Sequence, residues 1–241
     1  MPADLTNDQV RAEIATVPHW YHQIEVRPGI VTPGVNRSAA VLGNLHLPDD
    51  CSGLRALDIG ARDGYFSFEL ERRGADVIAV DYMPADQTGF AVASRLLGSR
   101  VPYLHENIYN LRPETLGAFD LVLCLGLLYH LPDPIRALRI LRGLTRSRMI
   151  LETLVLDREL PELSSMPLMR FLPGDTMNSD PSNYWSPNVA CVRAMLADTE
   201  FSAGRVRRHG DRAIFDCGTT SGSPWAHVLT ESSERVRGAA G

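Results

Sequence analysis

From residue 54 onward, short apolar runs alternate with segments of helical periodicity, and this alternation restricts the chain to few architectures. Five runs have the length and composition of strands, at residues 55–59, 76–81, 101–105, 120–125 and 149–153. Helical stretches lie between several of them, at residues 65–73, 88–97 and 134–144. Such an order is typical of β-α-β units. The sequence therefore predicts an α/β fold with a doubly wound, mostly parallel sheet.

The region that follows this alternation predicts an irregular excursion and a hairpin. Residues 155–182 contain four prolines and predict irregular structure, followed by a helix from about 187 to 198. Residues 204–208 and 212–217 then have the pattern of an antiparallel hairpin. With this C-terminal hairpin, the predicted sheet is Rossmann-like and has seven strands.

Residues 1–50 predict a helical lid over the sheet. Thr6 and Gln9 have the spacing of a capping box at the start of a short amphipathic helix, and a second helical stretch covers residues 38–47. We therefore expect three parts: residues 1–50 as an N-terminal lid or substrate segment, residues 51–217 as the main domain, and residues 218–241 as a disordered tail rich in Gly, Ser and Ala.

The overall charge disfavours a nucleic-acid partner. The 24 basic residues, all of them arginine, are outnumbered by 29 acidic ones, which leaves a net charge of −5, whereas binding to phosphates favours a basic excess. The four cysteines form no C-x-x-C pair, so we predict neither a metal site nor a disulfide framework. Since no apolar window approaches roughly 18 residues and no leader pattern is present, we expect a cytoplasmic protein without a membrane span.

The turn after the first predicted strand carries two glycines, Gly60 and Gly64, flanked by Asp58 and Asp63. Glycines at a strand-to-helix turn let the backbone approach a nucleotide-type ligand. The spacing differs from the Gly-x-Gly-x-x-Gly of dinucleotide sites, and two carboxylates would repel a pyrophosphate but attract a cation. The loop therefore favours a cationic cofactor over a dinucleotide.

The next two strand ends carry side chains suited to a nucleoside. Asp81, followed by Tyr82 and Met83, is placed at a strand tip to accept ribose hydroxyls. Asn107 and Ile108 follow the third strand, where an amide and an apolar side chain would read and cover an adenine edge; a simple turn cap is the alternative for Asn107. The predicted ligand is thus a cation that bears ribose and adenine.

These residues resemble the cofactor motifs of the class I S-adenosylmethionine-dependent methyltransferases. Asp58-x-Gly60-x-x-x-Gly64 looks like the first motif, with Arg62 at the position of the middle glycine, and Asp81 looks like the ribose-binding acid. The resemblance implies S-adenosylmethionine as cofactor. It assigns cofactor binding to Asp58, Gly60, Gly64, Asp81, Tyr82, Met83, Asn107, Ile108 and Leu125.

A closer resemblance covers about residues 19–217. Residues 126–130, 151–155, 172–175 and 183–201 look like the wobble-uridine carboxymethyltransferases, which build the 5-oxyacetic acid group of tRNA from a carboxylated S-adenosylmethionine. In that branch, the positions matching Tyr129 and Arg212 help to hold the cofactor's carboxylate, and Arg27 lies near the place of another basic residue. Either the cofactor is carboxylated, or these groups bind an anionic or hydroxylated acceptor beside ordinary S-adenosylmethionine. Shorter relatives resemble small-molecule methyltransferases, which favours the second interpretation.

Three residues are candidates for proton transfer, and each has a structural alternative. His130 would remove a proton from an acceptor hydroxyl or would serve only as a hydrogen-bonded structural histidine. His22 would line the pocket or pack the N-terminal segment on the sheet. Glu152, at the end of the fifth strand, would act as a base or orient another group.

The acceptor is predicted to contact side chains from the lid, the fourth strand end and the hairpin. The structural alternative for the lid aromatics is packing on the sheet, and that for Arg212 is a solvated strand charge. The predicted substrate-binding residues are Trp20, Tyr21, Arg27, Tyr129 and Arg212.

The sequence thus predicts an S-adenosylmethionine-dependent methyltransferase that O-methylates a small molecule, in the manner of antibiotic biosynthesis. One alternative is a tRNA wobble-uridine modifying enzyme, and another is a non-catalytic, cofactor-binding regulatory protein. A nicotinamide oxidoreductase is disfavoured by the glycine spacing and the flanking acids. The sequence leaves open the acceptor and the oligomeric state, with a homodimer among the alternatives.

Overall fold

The computed structural model describes residues 5–220, which form seven helices and eleven strands. The helices are α1 (Asn7–Ala15), α2 (Ser38–Leu45), α3 (Tyr65–Arg72), α4 (Phe90–Leu97), α5 (Pro113–Leu116), α6 (Pro134–Leu144) and α7 (Val189–Asp198). The strands are β1 (Glu25–Arg27), β2 (Ile30–Val31), β3 (Arg55–Ile59), β4 (Asp76–Asp81), β5 (Tyr103–His105), β6 (Phe119–Leu125), β7 (Thr145–Leu154), β8 (Met169–Phe171), β9 (Trp185–Pro187), β10 (Phe201–His209) and β11 (Arg212–Thr219).

Seven of these strands form one sheet in the order β10-β11-β7-β6-β3-β4-β5. The neighbours from β7 to β5 are parallel, whereas β11 is antiparallel to β7 and forms a hairpin with β10. The predicted seven-stranded, mostly parallel sheet with a C-terminal hairpin is therefore confirmed. Because β4 and β6 lie on opposite sides of β3, the strand order reverses there, and such a switch point opens a crevice at the carboxyl ends of the strands.

Alternate strand residues supply two separate apolar clusters. In β3, Ala56 belongs to one cluster and Leu57 to the other, as the two-residue period of a strand requires. Side chains of α3 and α4 pack in the first cluster, and those of α6 and α7 in the second. This double covering explains why the strands read as nearly continuous apolar runs.

Three parts of the structure differ from the sequence-based expectation. Residues 155–182 are not wholly irregular, because β8 pairs with β9 in a small hairpin. The lid region contains the β1–β2 hairpin between its two helices. Strand β11 extends to Thr219, two residues past the expected end of the main domain, and residues 221–241 of the expected disordered tail lie outside the described residues.

Within residues 5–220, no helix combines the length and the apolar composition that a membrane span requires.

Candidate active site

The turn after β3 folds back over the end of β4. The Gly60 N–H donates to the Val80 carbonyl at 2.8 Å, and Gly60 has a φ of 76°. Arg62, which stands where the resemblance places a glycine, also has a positive φ of 52°. Its N–H donates to Asp81 Oδ2 at 2.9 Å. This bond holds Arg62 in the left-handed conformation, so the loop keeps its shape without the middle glycine.

Two carboxylates lie buried beneath this loop. Both oxygens of Asp81 accept a backbone N–H, one from Arg62 and one from Met83 at 3.0 Å, which fixes the carboxylate at the tip of β4. Asp58 accepts a hydrogen bond from Ser67 Oγ at 2.6 Å. Burial raises the pKa of Asp58 to about 6; the Ser67 bond opposes this rise and the charge of Asp81 adds to it. A cation bound nearby would relieve this repulsion.

Asp63, one of the two carboxylates expected to attract a cationic ligand, has both oxygens occupied by backbone N–H groups instead. Its Oδ2 accepts the backbone N–H groups of Tyr21 and His22 at 2.7 and 2.8 Å, and its Oδ1 accepts that of Gly89 at 2.8 Å. The side chain is fully buried. Asp63 therefore ties the N-terminal segment and the start of α4 to the β3–α3 loop.

The absence of a side chain at Gly64 allows close packing against neighbouring aromatic rings, which is a more direct reason for glycine here than the approach of a ligand. Its φ is 88°, and a Cβ built there would lie 2.6 Å from the Phe90 ring and 2.7 Å from the Phe68 ring. The start of α3 thus fits tightly against two aromatic side chains. The neighbouring residues after β4 are arranged differently: Tyr82 is exposed, and Met83 contacts the Arg62 guanidinium through its sulfur.

In the loop after β5, Asn107 is placed both to cap the turn and to present its amide to a ligand. Its Oδ1 accepts the Tyr109 N–H at 3.0 Å, which is a turn cap, and the residue is exposed. Ile108 beside it is buried in the core. The predicted adenine contact is therefore limited to the exposed amide edge of Asn107. Leu125, at the end of β6, is half-buried at the same edge of the sheet.

Arg212, Glu152 and Tyr129 form a hydrogen-bonded cluster at the ends of β6 and β7. The Arg212 Nε and Nη2 groups donate to the two Glu152 oxygens at 2.5 and 2.8 Å, and Nη1 donates to the Tyr129 hydroxyl at 3.1 Å. A Cβ on Gly126 would lie 3.3 Å from Arg212 Nη2, a tight contact that a small shift of the guanidinium would have to relieve. Because both Glu152 oxygens are engaged, this geometry favours Glu152 as an orienting group over Glu152 as a base.

Arg27 and Arg212 have different partners. The Arg27 Nη1 donates to the Leu5 carbonyl at 2.6 Å, next to the start of α1, whereas Arg212 is paired with Glu152. Arg27 thus links strand β1 to the residues just before α1. This contact favours a structural role over the predicted substrate contact.

His130 is held by a loop distant in sequence. Its Nδ1 lies 3.2 Å from the Ser182 carbonyl oxygen and 2.9 Å from Ser182 Oγ, and its ring packs on Tyr129 with 4.2 Å between centroids. Burial lowers the pKa of His130 below its usual value, and the charges of Arg212 and Arg62 act in the same direction. The imidazole is therefore neutral near pH 7. Nothing in the sequence around His130 indicated Ser182.

The lid aromatics divide into buried and exposed residues. Trp20 is buried, donates from Nε1 to the Ile14 carbonyl at 3.0 Å and packs against Gly89, which favours packing over the predicted substrate contact. Tyr21 is 38% exposed and edge-on to His22. Burial lowers the pKa of His22 to about 4 although the Asp63 charge raises it. An imidazole with so low a pKa is a weak base near neutral pH.

The arrangement offers two neighbouring environments along one sheet edge. The β3 and β4 ends supply buried negative charge and a glycine turn, which suit a cationic nucleoside. The β6 and β7 ends supply a neutral imidazole, a phenol and a guanidinium, which suit a polar acceptor. Within residues 5–220, no group of three or more His, Cys, Asp or Glu side chains is arranged to hold a metal ion.

Comparisons with known proteins agree that this chain is similar to methyltransferases. A family model described as "Methyltransferase domain" matches residues 35–186. The tRNA U34 carboxymethyltransferase of Chromohalobacter salexigens is 26% identical over 225 residues, which cover 84% of this chain and 65% of that protein. The ubiquinone biosynthesis O-methyltransferase of Xanthomonas axonopodis pv. citri is 33% identical over 105 residues, 43% of this chain and 44% of that protein. The chain thus spans less than two thirds of the length of these curated relatives.

Solved structures agree in fold. The N-terminal domain of EvdMO1, determined in the presence of S-adenosylhomocysteine (SAH) and D-fucose, aligns with a TM-score of 0.65. The alignment covers 90% of this chain and 98% of that domain at 18% sequence identity, so the likeness is one of fold.

Proposed function

Because this chain belongs to the methyltransferase-domain family, we propose that it transfers the methyl group of S-adenosylmethionine to a hydroxyl oxygen of a small molecule. The family match confirms the predicted resemblance to methyltransferases and the enzyme class. The SAH present with the EvdMO1 domain supports S-adenosylmethionine as the cofactor. The acceptor class is our own proposal. It is carried by His130, a neutral imidazole at the edge of the sheet where the strands end.

The β3 and β4 ends fit the cofactor. Asp81 is held by two backbone N–H groups, and a carboxylate oxygen has lone pairs for a second bond each, so ribose hydroxyls would donate to it. The buried charges of Asp58 and Asp81 suit a sulfonium. When bound, S-adenosylmethionine supplies an activated methyl group, so the chain's main task is alignment, which supplies roughly 7–11 kcal/mol in oriented reactions.

The β6 and β7 ends fit a hydroxylated acceptor. Tyr129 and Arg212 present polar groups beside His130, and the Glu152 ion pair fixes the orientation of the guanidinium. His130 takes up the proton of the acceptor hydroxyl. The net charge of −5 supports a small molecule over tRNA. The O-methyltransferase named among the relatives supports oxygen as the acceptor atom.

An isotope experiment tests the acceptor class. The purified protein is incubated with S-adenosylmethionine that carries an isotopically labelled methyl group, once with the small-molecule fraction and once with the tRNA fraction of the organism that encodes it. We expect label in a small molecule as an O-methyl group, identified by NMR, and none with Asp81→Ala. Label in tRNA, or in an N-methyl or C-methyl product, would contradict the proposal.

A carboxylated cofactor is the second candidate, and one observation favours it. The match to the tRNA U34 carboxymethyltransferase covers most of this chain. Tyr129 and Arg212, which the sequence resemblance assigns to the carboxylate of such a cofactor, are hydrogen-bonded to each other. Against it, Arg212 already has its charge paired by Glu152. Mass spectrometry of the ligand released from the purified protein distinguishes the two: a carboxylated nucleoside would favour the second candidate.

A further inference from the structure

His130, Ser182 and Asp180 form a continuous hydrogen-bonded triad. Nδ1 of His130 contacts both oxygens of Ser182, and Ser182 Oγ lies 2.6 Å from Oδ1 of Asp180. The same Asp180 oxygen accepts the Ser182 N–H at 2.9 Å, so the turn that presents the hydroxyl is itself fixed. An imidazole at the end of β6 is thereby linked to a carboxylate of the segment between β8 and β9.

The positions of the protons in this triad follow from the hydrogen-bonding partners of His130 Nδ1 and Ser182 Oγ. A carbonyl oxygen only accepts hydrogen bonds, and Ser182 Oγ gives its single proton to the Asp180 carboxylate. Both partners of His130 Nδ1 are therefore acceptors, so Nδ1 carries the ring proton. In a neutral imidazole the other nitrogen, Nε2, then holds a free lone pair.

We infer that Asp180 and Ser182 are positioning residues, which hold His130 as the Nδ1-protonated tautomer so that Nε2 serves as the base for the acceptor hydroxyl. This inference rests on the proposed function. The hydroxyl proton passes to Nε2 while the oxygen lone pair forms the new O–C bond to the methyl group. The methyl–sulfur bond breaks and its electron pair stays on sulfur, which leaves SAH, a methyl ether and an imidazolium that releases its proton to water. Such a base suits acceptors whose hydroxyl is not already ionised.

The charges around His130 agree with this role. Burial, Arg212 and Arg62 lower its pKa, whereas the Ser182 bond and the Asp180 carboxylate raise it. The pair from the β8–β9 segment thus offsets part of the burial effect and keeps the imidazole a stronger base than burial alone would allow. Loss of the Asp180 charge should lower the pKa of His130 further.

NMR of the whole protein, labelled with the heavy nitrogen isotope, tests the inference without an acceptor. Long-range proton–nitrogen correlations distinguish protonated from unprotonated ring nitrogens, and His130→Gln identifies the His130 signals by their loss. We expect the Nδ1-protonated form in the wild type near pH 7. In Asp180→Asn the His130 pKa should fall, and in Ser182→Ala the share of the Nδ1-protonated form should fall. Asp175→Asn, an exposed change in the same segment, should leave both unchanged.

Three results would overturn the inference: a proton on Nε2 in the wild type, unchanged His130 signals in both Asp180→Asn and Ser182→Ala, or an equal change in Asp175→Asn. Calorimetric titration with SAH accompanies each variant. Retained SAH binding shows that a variant is folded and that the cofactor site is intact. If SAH binds but His130 is not in the Nδ1-protonated form, the result counts against the inference alone. If the wild type does not bind SAH, the result counts against the proposed function.

Discussion

At the residue scale, the buried imidazole of His22 links stability to pH. Its ring lies among Tyr21, Tyr65 and Phe66, and its Nδ1 has no hydrogen-bond partner within the described structure. Burial lowers its pKa from 6.5 to about 4 in the folded protein. Between these values the unfolded chain binds the proton and the folded one does not, so stability is present above pH 6.5 and is lost as the pH falls.

We predict that His22→Gln flattens this dependence. From pH 7 to pH 4, the free energy of unfolding should fall by about 3 kcal/mol less in the variant than in the wild type. Denaturant unfolding at several pH values measures the difference. His19→Gln, an exposed change nearby, is the control and should follow the wild type. An identical pH dependence in His22→Gln would show that the buried imidazole does not determine it.

Residue types predicted where the candidate site residues lie in the fold, but not how their side chains are oriented. Asp81 lies at a strand tip and Gly60 in the turn, as expected, and their cofactor-binding roles stay predictions. The side of the loop to which Asp63 points was not predictable, because its three partners are backbone N–H groups up to 42 positions away. Backbone donors look alike in every sequence, so such a contact leaves no trace in the pattern of residue types.

At the element scale, the pairing of β11 with β7 creates the Arg212–Glu152 ion pair. Strand β11 runs antiparallel, with Ile214 opposite Glu152 and Arg212 opposite Leu154. Both charged side chains are largely buried, at 29% and 11% exposed. Removal of one partner then leaves the other charge unpaired in a poorly solvated place.

We predict that Arg212→Met lowers the free energy of unfolding by about 3 kcal/mol, since Glu152 loses its only ion pair among the described residues. The double variant Arg212→Met/Glu152→Met should recover most of this loss. As the matched control, Arg139→Met breaks the exposed pair with Asp198 and should cost less than about 1 kcal/mol. Denaturant unfolding measures all three. No recovery in the double variant would mean that the charge pair is not what the single change disrupts.

Elements with a clear apolar run or a clear periodicity of apolar residues were predictable from the sequence. Elements that depend on tertiary contacts were not. The five parallel strands and α6 follow from apolar runs of adequate length, and the observed bounds differ from the expected ones by a few residues. The β8–β9 hairpin was missed because each strand has only three residues, those of β8 are all exposed, and prolines lie within and around the two strands. Its consequence for the site, the placement of Ser182 against His130, was missed with it.

At the scale of the whole molecule, the seven-stranded sheet brings the two halves of the site together. The switch point between β4 and β6 lies at β3, so the cofactor side and the acceptor side share one edge. The N-terminal segment is tied to this edge through Asp63, which places Tyr21 and His22 beside the β3–α3 loop. We propose that this segment covers the bound ligands.

The central claim is that the ends of β3 and β4 bind S-adenosylmethionine, and calorimetric titration with SAH tests it most directly. We predict that the wild type binds SAH and that Asp81→Ala weakens binding at least about tenfold, because loss of hydrogen bonds to a charged group costs about 1.5–3 kcal/mol. Asp175→Asn should bind like the wild type. No binding by the wild type, or undiminished binding by a folded Asp81→Ala, would contradict the account.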